Sequence, residues 1–584
     1  MPLRIPYGVA DFVKLRLGGE YYVDKTHYLP QLENAGRYLF LIRPRRFGKS
    51  LLQTMMACYY DINRADQFDA LFHDTWIHAH PTAERSRYLM LRLDFSRVHG
   101  SGEALLASFD NYCRNEFDHF LGRYEALIPA SVADQVRQQP TVNGCMKRLI
   151  DECTRLQTPP MYLFIDEYDN FANTLLASEG RAAYQALTHG RGFFRDFFAE
   201  LKGAVGEVGS PLARLFITGV SPVTLDDVSS GFNIALNITR DPDLSAILGF
   251  TPEEMRTLFS AFGQDYEAHR PLLDSWYNHY RFSDEGDDTV TNSDMALYYL
   301  QALYRIGKPP KELIDQNVRI DYVKLRHLIQ LDRQLNGSFV RLREIIDERQ
   351  ISATIQTSFP AERLQEGDCF VSLLFYFGLL TYSGRERRGQ PVLVIPNRTI
   401  DQLMYSYLRE AFDDVGLFRP DLFEIGDRLA RLAWDGDWQP FFAYLSEQIS
   451  RQAGVRDHLG GEKLIQGFLL AWLNVNPWFY TVTEQELGGG FVDFLLYPSR
   501  DRYPGLNHAY LIELKYLTRT PPRSDQEPSQ SIEQRQASAL QAARAQLTRY
   551  RHDQRILPLL GEAKVHALVL IWNGWELLHS EQCE

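Results

Sequence analysis

"RPRRFGKS", Arg43 to Ser50, follows directly on the apolar run Tyr38, Leu39, Phe40, Leu41, Ile42. It leads into "KSLLQTMMACYYD", whose apolar residues recur at helical spacing. Strand, tight loop, helix is the setting in which backbone N–H groups and a helix N-terminus can close around phosphate. Gly48, Lys49 and Ser50 supply a close-approach glycine, an ammonium for the β and γ oxygens, and a hydroxyl for magnesium. Arg46 and Leu51 flank them and complete the expected nucleotide-contacting run. Arg43 stands where the general motif opens with glycine, so the loop entrance must use a conformation that a side chain tolerates. Arg45 and Arg46 add charge inside the loop, suited to phosphate, to a DNA backbone, or to pairing with Asp166 and Asp169.

A second stretch supplies the acidic half. "MYLFIDEYDN" sets five apolar residues, Met161 to Ile165, before Asp166 and Glu167 at the expected carboxyl end of a buried strand. Carboxylates there are costly unless they meet a cation or water. Asp166 is expected to orient a magnesium shell and Glu167 to polarise an attacking water. The next apolar run, "ARLFITGVSPV", ends in Thr218, a candidate γ-phosphate sensor. Its Ser221 lacks the second glycine of a nucleophile elbow. His78 and His80 in "WIHAH" are read as structural for want of further ligands, and Arg240 as a surface salt bridge sooner than an arginine finger.

The bulk numbers bound these readings. At 584 residues the chain exceeds one ordinary core and implies several domains. A hydrophobic share of 45% and a mean hydropathy of -0.30 fit a folded globular chain, and its longest apolar runs fall short of a bilayer span. No membrane helix and, from the polar N-terminus "MPLRIPYGVADFV", no signal peptide are expected, which points to the cytoplasm. A net charge of -13 confines any nucleic-acid contact to a local basic groove. The six cysteines form no C-x-x-C pair and read as reduced thiols.

Strand-like runs at Arg37 to Arg43, Tyr88 to Phe95, Met161 to Asp166, Leu212 to Thr218 and Asn233 to Asn237 alternate with helical stretches, the pattern of a parallel sheet. Pro252 in "GFTPEE" is placed to start a helix. Near Val371 to Pro396 a helix precedes "LLTYSGRERRGQPVLVIPN", which reads as a two-stranded wing with a basic tip, serving either DNA contact or interdomain packing. "TRTPPRSDQEPSQSIEQRQ", Thr518 to Gln536, reads as a loop. The expected α/β layout is an ATPase domain over 1–248, a helical linker over 249–360, a winged-helix-like region over 361–452 and a final α/β domain over 453–584.

"YYVDKTHYLPQLE", "LIRPRRFGKSLL", "FIDEYDN", "ITGVSPV" and "LGFTPEE" together resemble the bacterial AAA-ATPase-like family, over about the first half of the chain. In that family the arginine-rich phosphate loop is the usual form. The resemblance implies an additional-strand P-loop ATPase fold with ATP and Mg²⁺ at the residues named.

Near the other end stands "GGGFVDFLLYPSRDRYPGLNHAYLIELKYL". Glu513 and Lys515, two apart on a strand, share a face, and Asp493 lies on the preceding strand. Two carboxylates beside one ammonium suit Mg²⁺ or Mn²⁺ acting on a phosphodiester, with the lysine placing the nucleophile or offsetting charge. The set resembles the PD-(D/E)XK nuclease superfamily, although Val492 replaces the proline before the aspartate and the strand-to-strand spacing is long. The resemblance implies accessory roles for Glu462 on the helix before the core and Gln546 on the helix after it.

The expectation is an ATPase whose nucleotide state controls a metal-dependent nuclease on DNA, with RNA open, homo-oligomerisation open, and foreign DNA as the natural context. The alternative is a signal-transducing ATPase whose last domain binds nucleic acid or protein without cutting.

Overall fold

The computed structural model describes residues 3–188, 192–206, 209–223, 234–318, 337–414, 421–451, 462–488, 490–500, 502–517, 531–574 and 576–583. The chain forms two compact units, Met1–Leu331 with Gln350–Ile400, and Asp332–Arg349 with Asp401–Glu584.

In the first unit β1 (Tyr38–Ile42), β2 (Leu89–Asp94), β3 (Met161–Asp166), β4 (Leu212–Gly219) and β5 (Leu236–Asn237) make a parallel sheet in the order β2-β3-β4-β1-β5. β1 to β4 are buried along most of their length, as strands covered on both faces are, which is why these runs are continuously apolar instead of alternating. Every residue of β3 is buried. The insertion of β4 between β1 and β3 is the additional strand, and it separates the loop after β1 from the acidic end of β3 by one strand width. Four of the five expected strands agree to within a residue or so; the fifth shrinks to a pair, with Asn233 outside the described residues.

Pro252 does open a helix, Pro252–Ala261. Thr251 and Glu254 form a capping box there, each side chain taking the other's backbone N–H. Glu254 also receives the buried Lys25 ammonium at 2.7 Å, and Lys25 donates to Ala246 O at 2.8 Å. The "VDKT" segment is thus fastened to the start of this helix.

The wing reading gains detail. β6 (Gln350–Ser352), β7 (Thr381–Arg387) and β8 (Gln390–Val394) form an antiparallel sheet in the order β6-β8-β7, with the Gly367–Tyr376 helix between β6 and β7. Arg388 and Gly389 turn the hairpin with φ 55° and 76°, the left-handed pair that a two-residue turn requires. Arg385, Arg387 and Arg388 are exposed at this tip. The preceding helix, which in a winged helix would read base edges, is sealed: Cys369 to Tyr376 are all buried. That helix serves packing, and only the hairpin remains open to a polyanion.

The module packs against the phosphate loop from behind. Gly378, at φ 75°, lies so close to Pro44 that an added Cβ would come within 2.8 Å of Pro44 Cγ. Arg43 is 0% exposed, its guanidinium 4.2 Å above the Phe282 ring and donating to Thr239 O, to Ile42 O at 3.2 Å and to Leu244 O at 3.4 Å. Burial pushes its pKa down, and the carbonyls and the ring face offset that cost. The non-glycine entrance is therefore a buried peg, pointing into the protein and not toward phosphate.

In the second unit β9 (Phe479–Leu487), β10 (Gly490–Pro498), β11 (His508–Leu517), β12 (Lys564–Asn573) and β13 (Glu576–Cys583) run in the order β13-β12-β11-β10-β9. β11 and β12 are parallel, joined through the Ile532–Tyr550 helix, and the other neighbours are antiparallel. Leu511, Val569, Ile571, Ala543 and Leu547 are buried in the core between that helix and the sheet. The helix begins earlier than the sequence suggests: Ser531 caps it, so Ile532 to Gln536 are helical, and residues 518–530 of the expected loop lie outside the described residues. Among the described residues no helix is long and apolar enough to cross a membrane, and the six cysteines are free thiols, five of them buried.

Two substitutions test this packing. Gly378→Ala should lower the unfolding free energy by about 1–3 kcal/mol through strain and overpacking. Arg43→Gly restores the general motif yet should lower it by about 2–4 kcal/mol, because it strips donors from buried carbonyls. Thermal unfolding checks both, and unchanged midpoints would contradict the peg.

Candidate functional sites: a phosphate loop and a two-carboxylate strand pair

Arg46 (φ 65°) and Gly48 (φ 96°) take left-handed backbone on either side of Phe47, the alternation that turns successive N–H groups toward one point. The Lys49–Tyr60 helix starts immediately after, aiming its free N–H groups the same way. Lys49 is 6% exposed and donates to Arg43 O and Pro44 O, each at 3.0 Å, so the loop's own carbonyls hold the ammonium. Burial pushes its pKa down while Glu167, Asp166 and Asp169 pull it up.

Asp166 is gripped from two sides. Ser50 Oγ donates to its Oδ2 at 2.6 Å, and Thr218 Oγ1 donates to its Oδ1 at 2.5 Å. Gln53, one helical turn after Ser50, donates to Thr218 Oγ1 at 2.8 Å and to Ile165 O at 3.2 Å. Thr218 is 0% exposed, so it lies behind Asp166 and braces it. Glu167 turns out of the strand at φ 47° into the cavity, its carboxyl pushed up by burial against the pull of Lys49 and Arg45. Asp169 is buried and accepts from Ser221 N at 2.6 Å, Val220 N at 3.2 Å and Asn173 Nδ2 at 2.6 Å, which fixes the bend after β4. Ser221 is a backbone partner in that bend.

A cavity of about 270 Å³ opens here. Arg45, Gly48, Lys49, Ser50 and Glu167 line its polar end; Val9, Leu15, Tyr22, Leu248, Phe250 and Leu297 line an apolar recess. Arg46 and Leu51 also border it. Arg46 donates to Asp294 Oδ2 at 3.2 Å, and its carbonyl accepts from Ser293 Oγ at 3.1 Å. The arginine pairs with Asp294, not with Asp166 or Asp169. Arg240 donates to the Tyr382 hydroxyl at 3.2 Å. His78 sits in the one-turn helix Trp76–Ala79 beside Asp69, and His80 stacks on Trp76, so both are structural.

In the second unit the β10–β11 ladder runs Leu496↔Tyr510, Leu495↔Leu511, Phe494↔Ile512, and one further step sets Asp493 across from Glu513. There the Asp493 carboxylate accepts Leu514 N–H at 2.7 Å and Gln466 Nε2 at 2.7 Å. Lys515 donates to Glu513 Oε1 at 2.7 Å, with Glu513 1% exposed. Gln546 reaches the Tyr550 hydroxyl at 3.4 Å, and that hydroxyl donates to Phe491 O at 3.2 Å, two residues before Asp493. Burial and the Glu513 charge push the Tyr550 pKa up. Glu462 begins the Glu462–Leu473 helix one turn before Gln466; its side chain lies outside the described residues.

Both donor sets are hard oxygens. A hydroxyl–carboxylate pair in the first and two facing carboxylates in the second fit Mg²⁺ or Mn²⁺ better than a soft metal. Among the described residues no group of three His, Cys, Asp or Glu side chains gathers to hold an ion without help from substrate. Sequence reasoning missed Gln53, Asp294, Gln466 and Tyr550. Gln466 carries a usable signal, a lone amide inside the apolar run "LIQGFLLAWL".

Comparison with known proteins bears on the two stretches that carry these sites. Residues 6–229 match the family described as "Predicted AAA-ATPase", and residues 460–582 match the "PD-(D/E)XK nuclease superfamily". A curated relative, "Uncharacterized protein in vnfD 5'region" of Azotobacter chroococcum mcd 1, is 26% identical over 318 residues, 52% of this chain. The chain spans about half the length of that relative, 53% of it. The chain thus carries an AAA-ATPase-like domain followed by a PD-(D/E)XK nuclease superfamily domain.

Proposed function

We propose that this protein hydrolyses ATP at the first site and that its nucleotide state governs a metal-dependent nuclease, acting on DNA, at the second. The observation that carries the reading is the Lys515–Glu513 pair on β11 with Asp493, on the facing strand, fastened to the Leu514 N–H between them. A structural strand end has no need to gather two carboxylates and an ammonium in a half-closed place.

At the first site Lys49 and the N–H groups around Gly48 take the β and γ phosphates, with Ser50 and Asp166 as the pair that would hold a cation. Thr218 and Gln53 keep Asp166 from rotating away. Glu167 faces the cavity as the base that orients water. At the second site Asp493 and Glu513 would hold the ion, Gln466 and Leu514 N–H fix the aspartate, and Lys515 places the attacking oxygen. A divalent ion, when bound, supplies positive charge for the phosphate oxygens and lowers the pKa of water. Handling of foreign DNA is the setting this combination suits.

Burial raises the Glu167 carboxyl, so its base form is lost on acidification sooner than that of an ordinary carboxylate near ~4.3. ATP turnover should therefore fall on the acid side with a limb above that value; a limb at or below it contradicts the assignment. Glu167→Gln should cut turnover by about 10²–10⁴-fold while ATP binding persists.

Plasmid, linear DNA and RNA incubated with Mg²⁺ or Mn²⁺, with and without ATP, test the coupling. Lys515→Ala should reduce cleavage by about 10²-fold or more and leave ATP turnover intact. Lys49→Ala should abolish turnover and change the ATP dependence of cleavage. Turnover without cleavage under every condition would favour a signal-transducing ATPase.

A further inference from the structure

We infer that the nuclease site takes unpaired nucleic acid, and that Phe491 is the platform on which a base next to the scissile phosphate stacks. The inference rests on the nuclease reading above and names its substrate class.

Phe491 is 60% exposed, while Val492 and Phe494 on the same strand are 0% exposed. The β9–β10 register is regular through this region, pairing Phe491 with Glu486 and Val492 with Gln485, so Phe491 lies on the same side of the pleat as Asp493. An aromatic ring is thereby left open one side-chain step from the carboxylate. Its backbone is fixed from beneath, because the Tyr550 hydroxyl donates to Phe491 O. Gly490 permits that approach: a Cβ there would lie 2.4 Å from the Tyr550 oxygen. Gly488 and Gly490, which precede it, carry no side chain that could cover the ring. Arg549, exposed on the helix, abuts this turn, its Cβ 3.5 Å from where a Cβ on Gly488 would stand.

A fixed, open aromatic face is what holds single strands, because the ring stacks on any base. A base inside a continuous duplex has both faces covered by its neighbours, so this platform serves a strand that is single, frayed or splayed.

The test compares the parent with Phe491→Ala and Phe491→Trp in the full chain. Binding and Mn²⁺-dependent cutting of a fluorescein-labelled oligothymidine are measured beside a blunt duplex, with Lys515→Ala as the cleavage-dead reference. Phe491→Ala should weaken single-strand binding about 5- to 150-fold and lower its cutting in step, with the tryptophan variant close to the parent. An active parent that Phe491→Ala matches on the single strand overturns the platform alone. So does a variant that changes only self-association in sedimentation. A parent that binds and cuts neither substrate overturns the nuclease reading and this inference with it.

Discussion

Two hydroxyls meet on one carboxylate at the centre of the nucleotide domain. Ser50 comes from the helix after the phosphate loop, Thr218 from the inserted strand, and both donate to Asp166 at the end of β3. A 6% exposed carboxylate with both oxygens engaged is held in one rotamer, and the elements that engage it are held in turn. Because β4 lies between β1 and β3, the loop and the acidic strand end are not neighbours in the sheet, and these side chains are what bridge the gap. The cavity, the raised Glu167 carboxyl and the placement of Lys49 all assume this arrangement.

The loop's other face is built for something different. Where other phosphate loops begin with a glycine, this one drives Arg43 into the interior, over Phe282 and among three carbonyls. Phe282 in turn lies near Phe375 of the sealed helix, and Gly378 presses on Pro44. Loop residues that line the cavity on one side are thus backed by the β6–β8 sheet and its helix on the other. A change in loop conformation has a packed path to the basic hairpin, within one compact unit.

Much of this was legible in the sequence, and the reason differs by element. Parallel strands announce themselves as apolar runs because both faces are covered, so β1 to β4 could be bounded within a residue or so. Pro252 and its capping box were equally local signals. Strand alternation pairs Glu513 with Lys515, which bond at 2.7 Å, while Asp493 stands on the facing strand and takes the Leu514 N–H. What escaped depends on contacts far apart in the chain. Thr218 reads as a candidate γ-phosphate sensor, yet it is buried behind Asp166, where Gln53 reaches across from the loop helix to donate to it. Arg46 offers its charge to phosphate, to DNA or to the acids on β3, and of these the acids are replaced by Asp294, 248 positions on. Gln466 leaves one usable sign, a lone amide in an apolar helix. Ser531 reads as loop in the sequence because its capping box with Gln534 sits at the end of a polar, proline-rich stretch.

The central claim is that one chain holds two separate oxygen-lined sites for a divalent ion, one completed by a nucleotide and one by strands β10 and β11. Mn²⁺ titration of the full chain, followed by water-proton relaxation with and without a non-hydrolysable ATP analogue, tests it most directly. The account predicts one class of bound Mn²⁺ that vanishes in Asp493→Asn and a second that requires the analogue and vanishes in Ser50→Ala. Mn²⁺ binding that neither substitution alters, or that one substitution abolishes at both sites, would contradict it.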